Sequence, residues 1–306
     1  MNLATLTATL RDVIAIPVTP YRGSDIAIDT FQSLLRRLID NGIRVVAPNG
    51  NTSEFYALSN EERHSLIRAS AESVKADAEI LVGVGLDMKT AMSDVELAQD
   101  QGVRMVMIHQ PVHPHISTEG WLDYHVGIAT AFPEVGFVLY VRNSYVTGEL
   151  LRRLGERCEN VIGIKYSLQD PVAFAESREA AGAERYAWIA GLAEQSALSY
   201  AAHGADGFTS GLANVHPKLS LKLRDLLRAN NFAAARLLLG RIASFEKMRA
   251  LENSADNVSV VKEALFQLGL CGRTVRPPSH TLIGKKREQV GQILQHWREA
   301  SDVTLD

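Results

Sequence analysis

Cysteine is scarce in this chain. Among its 306 residues there are only two, Cys158 and Cys271, and they are far apart and form no CxxC pattern. This scarcity argues against a disulfide framework and against a cysteine-rich zinc site. We therefore expect a protein of the reducing cytoplasm.

Long hydrophobic runs and an excess of charge of one sign are also missing. No apolar stretch reaches the length that crosses a bilayer, and the segment from Met1 to Ile14 lacks the apolar core of a secretory signal. The formal net charge is only -3, and 22% of the residues are charged. These values are ordinary for globular proteins, so we expect no nucleic-acid partner and no membrane partner.

The sequence does contain a regular series of short apolar runs rich in β-branched residues, which predict strands. Eight such runs occur, at residues 13–18, 45–48, 80–84, 105–108, 137–141, 161–164, 186–189 and 207–210. Stretches with helical spacing lie between them, for example 30–40, 60–73, 90–101 and 148–157. Ser59 and Glu62 have the spacing of a capping box, which predicts a helix start just after Leu58.

Continuous apolar strands that alternate with helices predict a parallel sheet covered on its outer face. Eight repeats favour a closed TIM (β/α)8 barrel, with a doubly wound open sheet as the alternative, and the chain exceeds the roughly 250 residues that such barrels need. Further helices are predicted after the last strand, at 218–228, 232–251, 258–268 and 287–297. We expect a barrel over residues 8–229 and a C-terminal helical extension over 230–306 that packs on it.

Two side chains at predicted strand ends are suited to catalysis, because barrel active sites lie at the C-terminal ends of the strands. Lys165 ends an apolar strand, where lost hydration would lower its pKa and free the amine to form a Schiff base. Tyr140 ends the preceding strand, where its hydroxyl could transfer protons. From position alone, a structural lysine with its stem along apolar surface and an interior tyrosine explain the two residues as well.

A turn rich in small polar residues follows the second predicted strand. Its residues Gly50, Asn51, Thr52 and Ser53 offer hydroxyls and backbone amides that could bind a carboxylate. The same residue types are common in ordinary turns, so the loop alone does not decide between the two interpretations.

Taken together, these positions resemble the N-acetylneuraminate lyase and dihydrodipicolinate synthase superfamily of Schiff-base lyases, from about Val13 to Pro278. Members have a loop similar to Gly-Thr-Thr-Gly-Glu after the second strand, matched here by residues 50–54, a tyrosine that ends the fifth strand, matched by Tyr140, and a lysine that ends the sixth, matched by Lys165. This chain is also similar to the family at residues 17–20, 83–85, 191 and 210–211, on or just after the first, third, seventh and eighth strands.

Two departures concern the proton relay that dihydrodipicolinate synthases use. Asn51 stands where the loop has a threonine, and His113 stands where those enzymes have a tyrosine lent by a neighbouring subunit. The segments at 140–143, 54–58 and 258–262 look most similar to the 5-dehydro-4-deoxyglucarate dehydratase branch, although that branch usually has glycine where this chain has Ser53.

The resemblance implies a Schiff-base-forming lyase, either a dehydratase or an aldolase, that acts on a small 2-oxo acid or deoxy sugar acid. It implies a homo-oligomer, a tetramer or dimer, and no cofactor or metal, because Lys165 itself activates the substrate. Lys165 and Tyr140 are the expected catalytic residues. The expected substrate contacts are Gly50, Asn51, Thr52, Ser53, Arg142, His113, Ser167, Gly191 and Ser210.

Two other functions remain open at this point. His109, His113 and His115 cluster after the fourth predicted strand, as in a metal-dependent aldolase or hydrolase, although their spacing matches no ligand motif. A barrel that binds a sugar acid without catalysis would also fit an altered relay.

Overall fold

The eight predicted strands pair in parallel into a closed barrel in a computed structural model that describes residues 2–74 and 77–299. Strand β1 pairs with both β2 and β8, so the sheet closes on itself. The predicted TIM barrel is therefore confirmed, and the open sheet is wrong. The strands are β1 (Val13–Ala15), β2 (Val45–Val46), β3 (Glu79–Val84), β4 (Met105–Ile108), β5 (Gly136–Val141), β6 (Val161–Tyr166), β7 (Ala187–Ala190) and β8 (Gly207–Ser210).

Helices connect the strands and form the outer layer. The capping box predicted at Ser59 is present, because Ser59 N donates to Glu62 Oε2 over 2.8 Å and Glu62 N donates to Ser59 Oγ over 3.3 Å. The helices up to the last strand are α1 (Leu3–Thr9), α2 (Ile28–Asp40), α3 (Asn60–Val74), α4 (Met88–Asp100), α5 (Thr118–Ala131), α6 (Gly148–Arg157), α7 (Pro171–Ala181) and α8 (Ala193–Ala202).

Side chains of the strands alternate between the barrel interior and the helical layer. The interior cluster includes Ile14, Leu81, Met107 and Val138, while the alternate strand residues belong to the larger cluster beneath the helices. Leu6, from α1, belongs to the interior cluster as well. Packed residues thus fill the barrel, and polar groups can gather only at its rim.

Four helices follow the last strand: α9 (Pro217–Arg228), α10 (Phe232–Ser254), α11 (Asn257–Gln267) and α12 (Gly284–Glu299). Helix α10 packs on α8 and α9, and α11 contacts both α10 and the turn Leu212–Asn214 after β8. Residues 300–306 of the predicted extension lie outside the described residues.

The predicted helix over 232–251 is confirmed, because regular helical geometry in α10 (Phe232–Ser254) breaks at Leu251. Leu251, Glu252 and Asn253 have non-helical dihedral angles, and Glu252, Asn253 and Ser254 all have φ between 51° and 65°. No glycine marks this left-handed segment, so the sequence does not indicate it. Of the described helices, none combines the length and the apolar character that a membrane crossing requires.

Candidate active site

Lys165 and Tyr140 lie side by side at the C-terminal rim of the barrel. They are register partners on β6 and β5, and Lys165 Nζ lies 4.4 Å from the centroid of the Tyr140 ring. The lysine side chain is buried, with 3% of the residue exposed. Burial, and secondarily the charge of Arg142, lowers the pKa of Lys165 to about 7. A substantial share of this amine is therefore neutral near neutral pH.

Asn51 connects the loop after β2 to Tyr140. Asn51 Nδ2 donates a hydrogen bond to Tyr140 Oη over 3.1 Å. Within the described part of the chain, Asn51 Oδ1 is buried without a hydrogen-bond partner. This oxygen can accept a hydrogen bond from a bound molecule.

The loop that carries Asn51 has a tight shape. Asn49 adopts a left-handed φ of 57°, which asparagine tolerates better than most residues. A Cβ atom at Gly50 would lie 2.6 Å from Ile16 Cγ2, so only glycine fits there. The backbone is thus held directly against Ile16, which follows β1.

Two amide groups of this loop are available for a ligand. In the described chain, neither Asn51 N nor Thr52 N donates a hydrogen bond, whereas Ser53 N donates to Gly50 O over 3.0 Å. Thr52 lines the adjacent cavity and is 3% exposed. Two free amides beside a hydroxyl form a suitable site for a carboxylate.

A buried ion pair anchors the end of the loop. Glu54, in a left-handed conformation with φ of 62°, pairs with Lys262 of α11, and both side chains are at most 4% exposed. Its other carboxylate oxygen accepts a hydrogen bond from Arg276 N over 2.8 Å. The chain after the barrel therefore positions the loop that borders the cavity.

A cavity of about 630 Å³ opens above Lys165. Gly191 permits its shape, since a Cβ atom there would lie 1.8 Å from Ser167 Oγ and 3.1 Å from Lys165 Cγ. Ser167 Oγ is buried without a partner among the described residues. The predicted site residues that line the cavity are Asn51, Thr52, Tyr140, Arg142, Lys165, Ser167 and Gly191.

The structure does not bring the other predicted contacts to the cavity. Ser210 faces outward from β8 and donates a hydrogen bond to Glu194 of α8, because side chains alternate along a strand and its neighbour Thr209 faces the cavity instead. Gly50 is also absent from the lining, since it packs against Ile16 just after β1.

Ser53 and His113 serve other contacts as well. The Ser53 hydroxyl donates to the carbonyl of Pro17, so it fastens the loop to the end of β1. His113 is exposed, and its Nδ1 accepts a hydrogen bond from His115 N over 3.1 Å, outside the cavity of its own chain.

Several cavity residues have no counterpart in the sequence-based prediction. They come from α8 and from the helices after the barrel, which the sequence indicates only as packing elements. They include Gln195, Ser199, Glu246, Arg249, Asn253 and Asn257. The sequence does not single them out, because Glu246 and Arg249 stand among other charged residues of α10 such as Lys247.

The three histidines after β4 do not converge. His109 is buried against Phe55, with ring centroids 4.1 Å apart, and its Nε2 donates to Asn49 O over 2.8 Å. Burial lowers the pKa of His109 to about 3, so the ring is neutral. Among the described residues, no three histidine, cysteine or carboxylate side chains lie close enough to hold a metal ion. The geometry thus gives the metal-dependent alternative no support.

Comparison with known proteins agrees with this arrangement. The model of the dihydrodipicolinate synthetase family matches residues 9–297. The chain belongs to this family. It is 28% identical over 295 residues to a 4-hydroxy-tetrahydrodipicolinate synthase of Bartonella bacilliformis, a match that covers 94% of this chain and 98% of the relative. It is 25% identical over 302 residues to a 5-dehydro-4-deoxyglucarate dehydratase of Pseudomonas putida, covering 96% and 98%.

A solved structure shares both fold and sequence with this chain. The crystal structure of dihydrodipicolinate synthase from Bacillus clausii superposes with a TM-score of 0.92 at 33% identity, covering 96% of this chain and 99% of that one. The prediction of a Schiff-base lyase of this family is therefore confirmed. The comparisons give no support to a metal-dependent enzyme or to a non-catalytic barrel.

Proposed function

We propose that this enzyme binds a 2-oxo-3-deoxy sugar acid as an iminium on Lys165 and then eliminates water or cleaves the bond between C3 and C4. The observation that carries the proposal is the buried amine of Lys165, with a pKa of about 7, against Tyr140 at the floor of a polar cavity. An amine that is neutral in water-poor surroundings is a nucleophile for a ketone.

The substrate carboxylate binds next to the reacting carbon. Asn51 N and Thr52 N donate to its oxygens, together with the Thr52 hydroxyl. The absence of other acceptors for these two amides in the described chain supports this assignment. The resulting orientation directs C2 of the substrate toward Lys165 Nζ.

The chemistry begins when Lys165 Nζ adds to C2. The carbonyl oxygen takes up protons and leaves as water, with Tyr140 Oη as the nearest proton donor on the neighbouring strand. The positive iminium then withdraws electrons from C3. Loss of a C3 proton gives an enamine that expels a C4 hydroxyl as water, whereas cleavage of the C3–C4 bond leaves the electron pair on the enamine as C4 becomes an aldehyde. Ser167 Oγ, which is unpartnered in the described chain, is the candidate for proton transfer at C3.

The substrate is longer than pyruvate. The cavity extends from Lys165 to side chains of α10, and its lining is rich in hydroxyl and amide groups, as a hydroxylated chain requires. Arg142 lines the same cavity, and in the described residues it forms no ion pair or hydrogen bond. We assign it to a hydroxyl or a second carboxylate on the distal part of the substrate.

Borohydride trapping tests the proposal directly. Reduction in the presence of pyruvate should add the mass of a 1-carboxyethyl group to Lys165. A panel of 2-oxo-3-deoxy sugar acids, assayed for pyruvate release and for water loss, then identifies the reaction. A chelator should leave turnover unchanged. Turnover without any adduct on Lys165 would contradict the mechanism.

The assembly and location proposed from the resemblance are a homo-oligomer, a tetramer or dimer, in the cytoplasm. The described cysteines, Cys158 and Cys271, are unpaired, which suits a reducing compartment. Sedimentation would establish the number of subunits.

A further inference from the structure

Helix α10, outside the barrel, contributes a charged pair to the cavity. Glu246 and Arg249 both line it, and their side chains are only 4% and 6% exposed. Arg249 Nη1 donates to Glu246 Oε1 over 2.6 Å, and Arg249 Nε donates to Asn257 Oδ1 over 3.0 Å. Such a doubly held guanidinium is fixed in one orientation before any ligand binds.

The position of the guanidinium is set by the end of β8. A Cβ atom at Gly211 would lie 2.1 Å from Arg249 Nη2, so glycine alone allows the arginine to approach the strand end so closely. The guanidinium therefore sits at the barrel rim with the other cavity groups.

Hydrogen-bonding capacity remains on both members of the pair. In the described chain, Arg249 Nη2 donates no hydrogen bond and Glu246 Oε2 accepts none. Neither of these two unpartnered atoms is fully buried. One donor nitrogen and one acceptor oxygen thus remain available at the cavity. A hydroxyl group both donates and accepts, so adjacent hydroxyls match such a pair.

The charge balance decides between hydroxyls and an anion. Glu246 neutralises Arg249, and a carboxylate brought to this pair would be repelled by Glu246 at short range. Glu194 is a second buried carboxyl close to Glu246. Burial, and secondarily the charge of Glu246, raises the pKa of Glu194 to about 7. The α10 side of the cavity therefore favours neutral polar groups, whereas the uncompensated Arg142 favours an anion.

We propose that Glu246 and Arg249 determine specificity by binding adjacent hydroxyl groups on the part of the substrate farthest from the iminium. This inference rests on the proposed function for which end of the substrate reacts with Lys165. The binding of hydroxyl groups by Glu246 and Arg249 does not depend on it. The left-handed residues Asn253 and Ser254, which also line the cavity, enclose the same region. Strained backbone of this kind is concentrated at ligand sites.

The kinetic test uses two substrates and two variants. For the wild type and each variant, kcat/KM is measured with a six-carbon 2-oxo-3-deoxy sugar acid and with 4-hydroxy-2-oxobutanoate, which has no distal hydroxyl pair. The ratio of the two values is then compared. Arg249→Met should reduce this ratio roughly 10- to 100-fold, the effect of losing charged hydrogen bonds to a bound hydroxyl. Arg236→Met, on the exposed side of the same helix, is the matched control and should leave the ratio unchanged.

A second variant guards against loss of fold. Because Arg249→Met leaves Glu246 buried without its partner, the double variant Glu246→Gln with Arg249→Met removes both charges. It should melt close to the wild type and still show the reduced ratio. A double variant that is folded and keeps the wild-type ratio overturns the proposal.

A binding measurement separates this inference from the proposed function. Gluconate has the hydroxylated chain and a carboxylate but no ketone, so it cannot form an iminium. Calorimetry should show gluconate binding to the wild type and at least tenfold weaker binding to the double variant. If gluconate binding weakens in the double variant but pyruvate is not trapped on Lys165, the iminium mechanism alone is rejected. If pyruvate is trapped but gluconate binds the wild type and the double variant equally, or does not bind the wild type, the role of Glu246 and Arg249 alone is rejected.

Discussion

The side-chain amide of Asn51 donates a hydrogen bond to the phenol oxygen of Tyr140, with 3.1 Å between Asn51 Nδ2 and Tyr140 Oη. Because the amide occupies an acceptor position of the oxygen, the proton of the phenol remains free for a substrate. The Asn51 side chain thus holds the Tyr140 hydroxyl in a fixed position.

Tyr140→Phe should lower kcat by about 10²- to 10⁴-fold, the range that a positioned proton donor contributes. Slow turnover should persist, since the amine of Lys165 remains. Asn51→Ala removes the hydrogen bond to Tyr140 but leaves the phenol in place, so it should cost roughly tenfold or less. Steady-state kinetics compare the two, and a Tyr140→Phe enzyme as fast as the wild type would show that another group transfers the proton.

Lys165→Ala should fold but lose turnover, because it removes the nucleophile and leaves the neighbouring strand pairing unchanged. Circular dichroism and a melting curve check the fold, while a product assay checks activity. Retention of full activity in this variant would end the proposal of an iminium on this residue.

The rate of iminium formation should rise with pH and level off above about 7, since only the deprotonated Lys165 attacks and its pKa lies at about 7. Arg142→Met removes a positive charge that lowers this pKa, so the midpoint should move to higher pH. Borohydride trapping rates with pyruvate from pH 5 to 9 measure both. An unchanged midpoint in Arg142→Met would exclude this charge as a cause.

Gly191→Ala should slow catalysis, because the added Cβ would overlap Ser167 Oγ and press on Lys165 Cγ. Gly240→Ala is the matched control, since in α10 a Cβ there meets no atom within 4 Å. Alanine in a helix interior should stabilise the control by about 0.5–1 kcal/mol. Kinetics and thermal unfolding of both variants distinguish a local steric effect from a general effect of replacing glycine.

Lys262→Met should destabilise the protein by roughly 3–5 kcal/mol, because Glu54 is left as an unpaired buried charge. Adding Glu54→Gln to it should restore part of the stability. Chemical denaturation measures the free energy of unfolding. Equal stabilities of the wild type and the single variant would show that Glu54 finds another partner.

Much of the fold is predictable from the sequence because each strand is a short β-branched run that helical segments separate. The run at 105–108 and the helix at 148–157 have the predicted bounds, and the capping box at Ser59 forms as expected. Ends such as that of β1 are less predictable, since apolar residues continue into the loop after pairing stops at Ala15.

The site is predictable only where residues adjoin the strand ends. Lys165, Tyr140 and the loop at Asn51 follow from that rule, but it cannot tell which side of β8 Ser210 faces, and Thr209 takes the cavity position. Arg249 is beyond such reasoning, because its place depends on how α10 packs on the barrel. Local sequence carries little information about contacts of this range.

The ion pair between Glu54 and Lys262 joins positions 208 residues apart. During synthesis, the loop that borders the cavity forms its ion pair only after Lys262, at position 262 of 306, has been added. A change at Lys262, late in the chain, therefore alters a loop that forms from its first residues, without touching Lys165 or Tyr140.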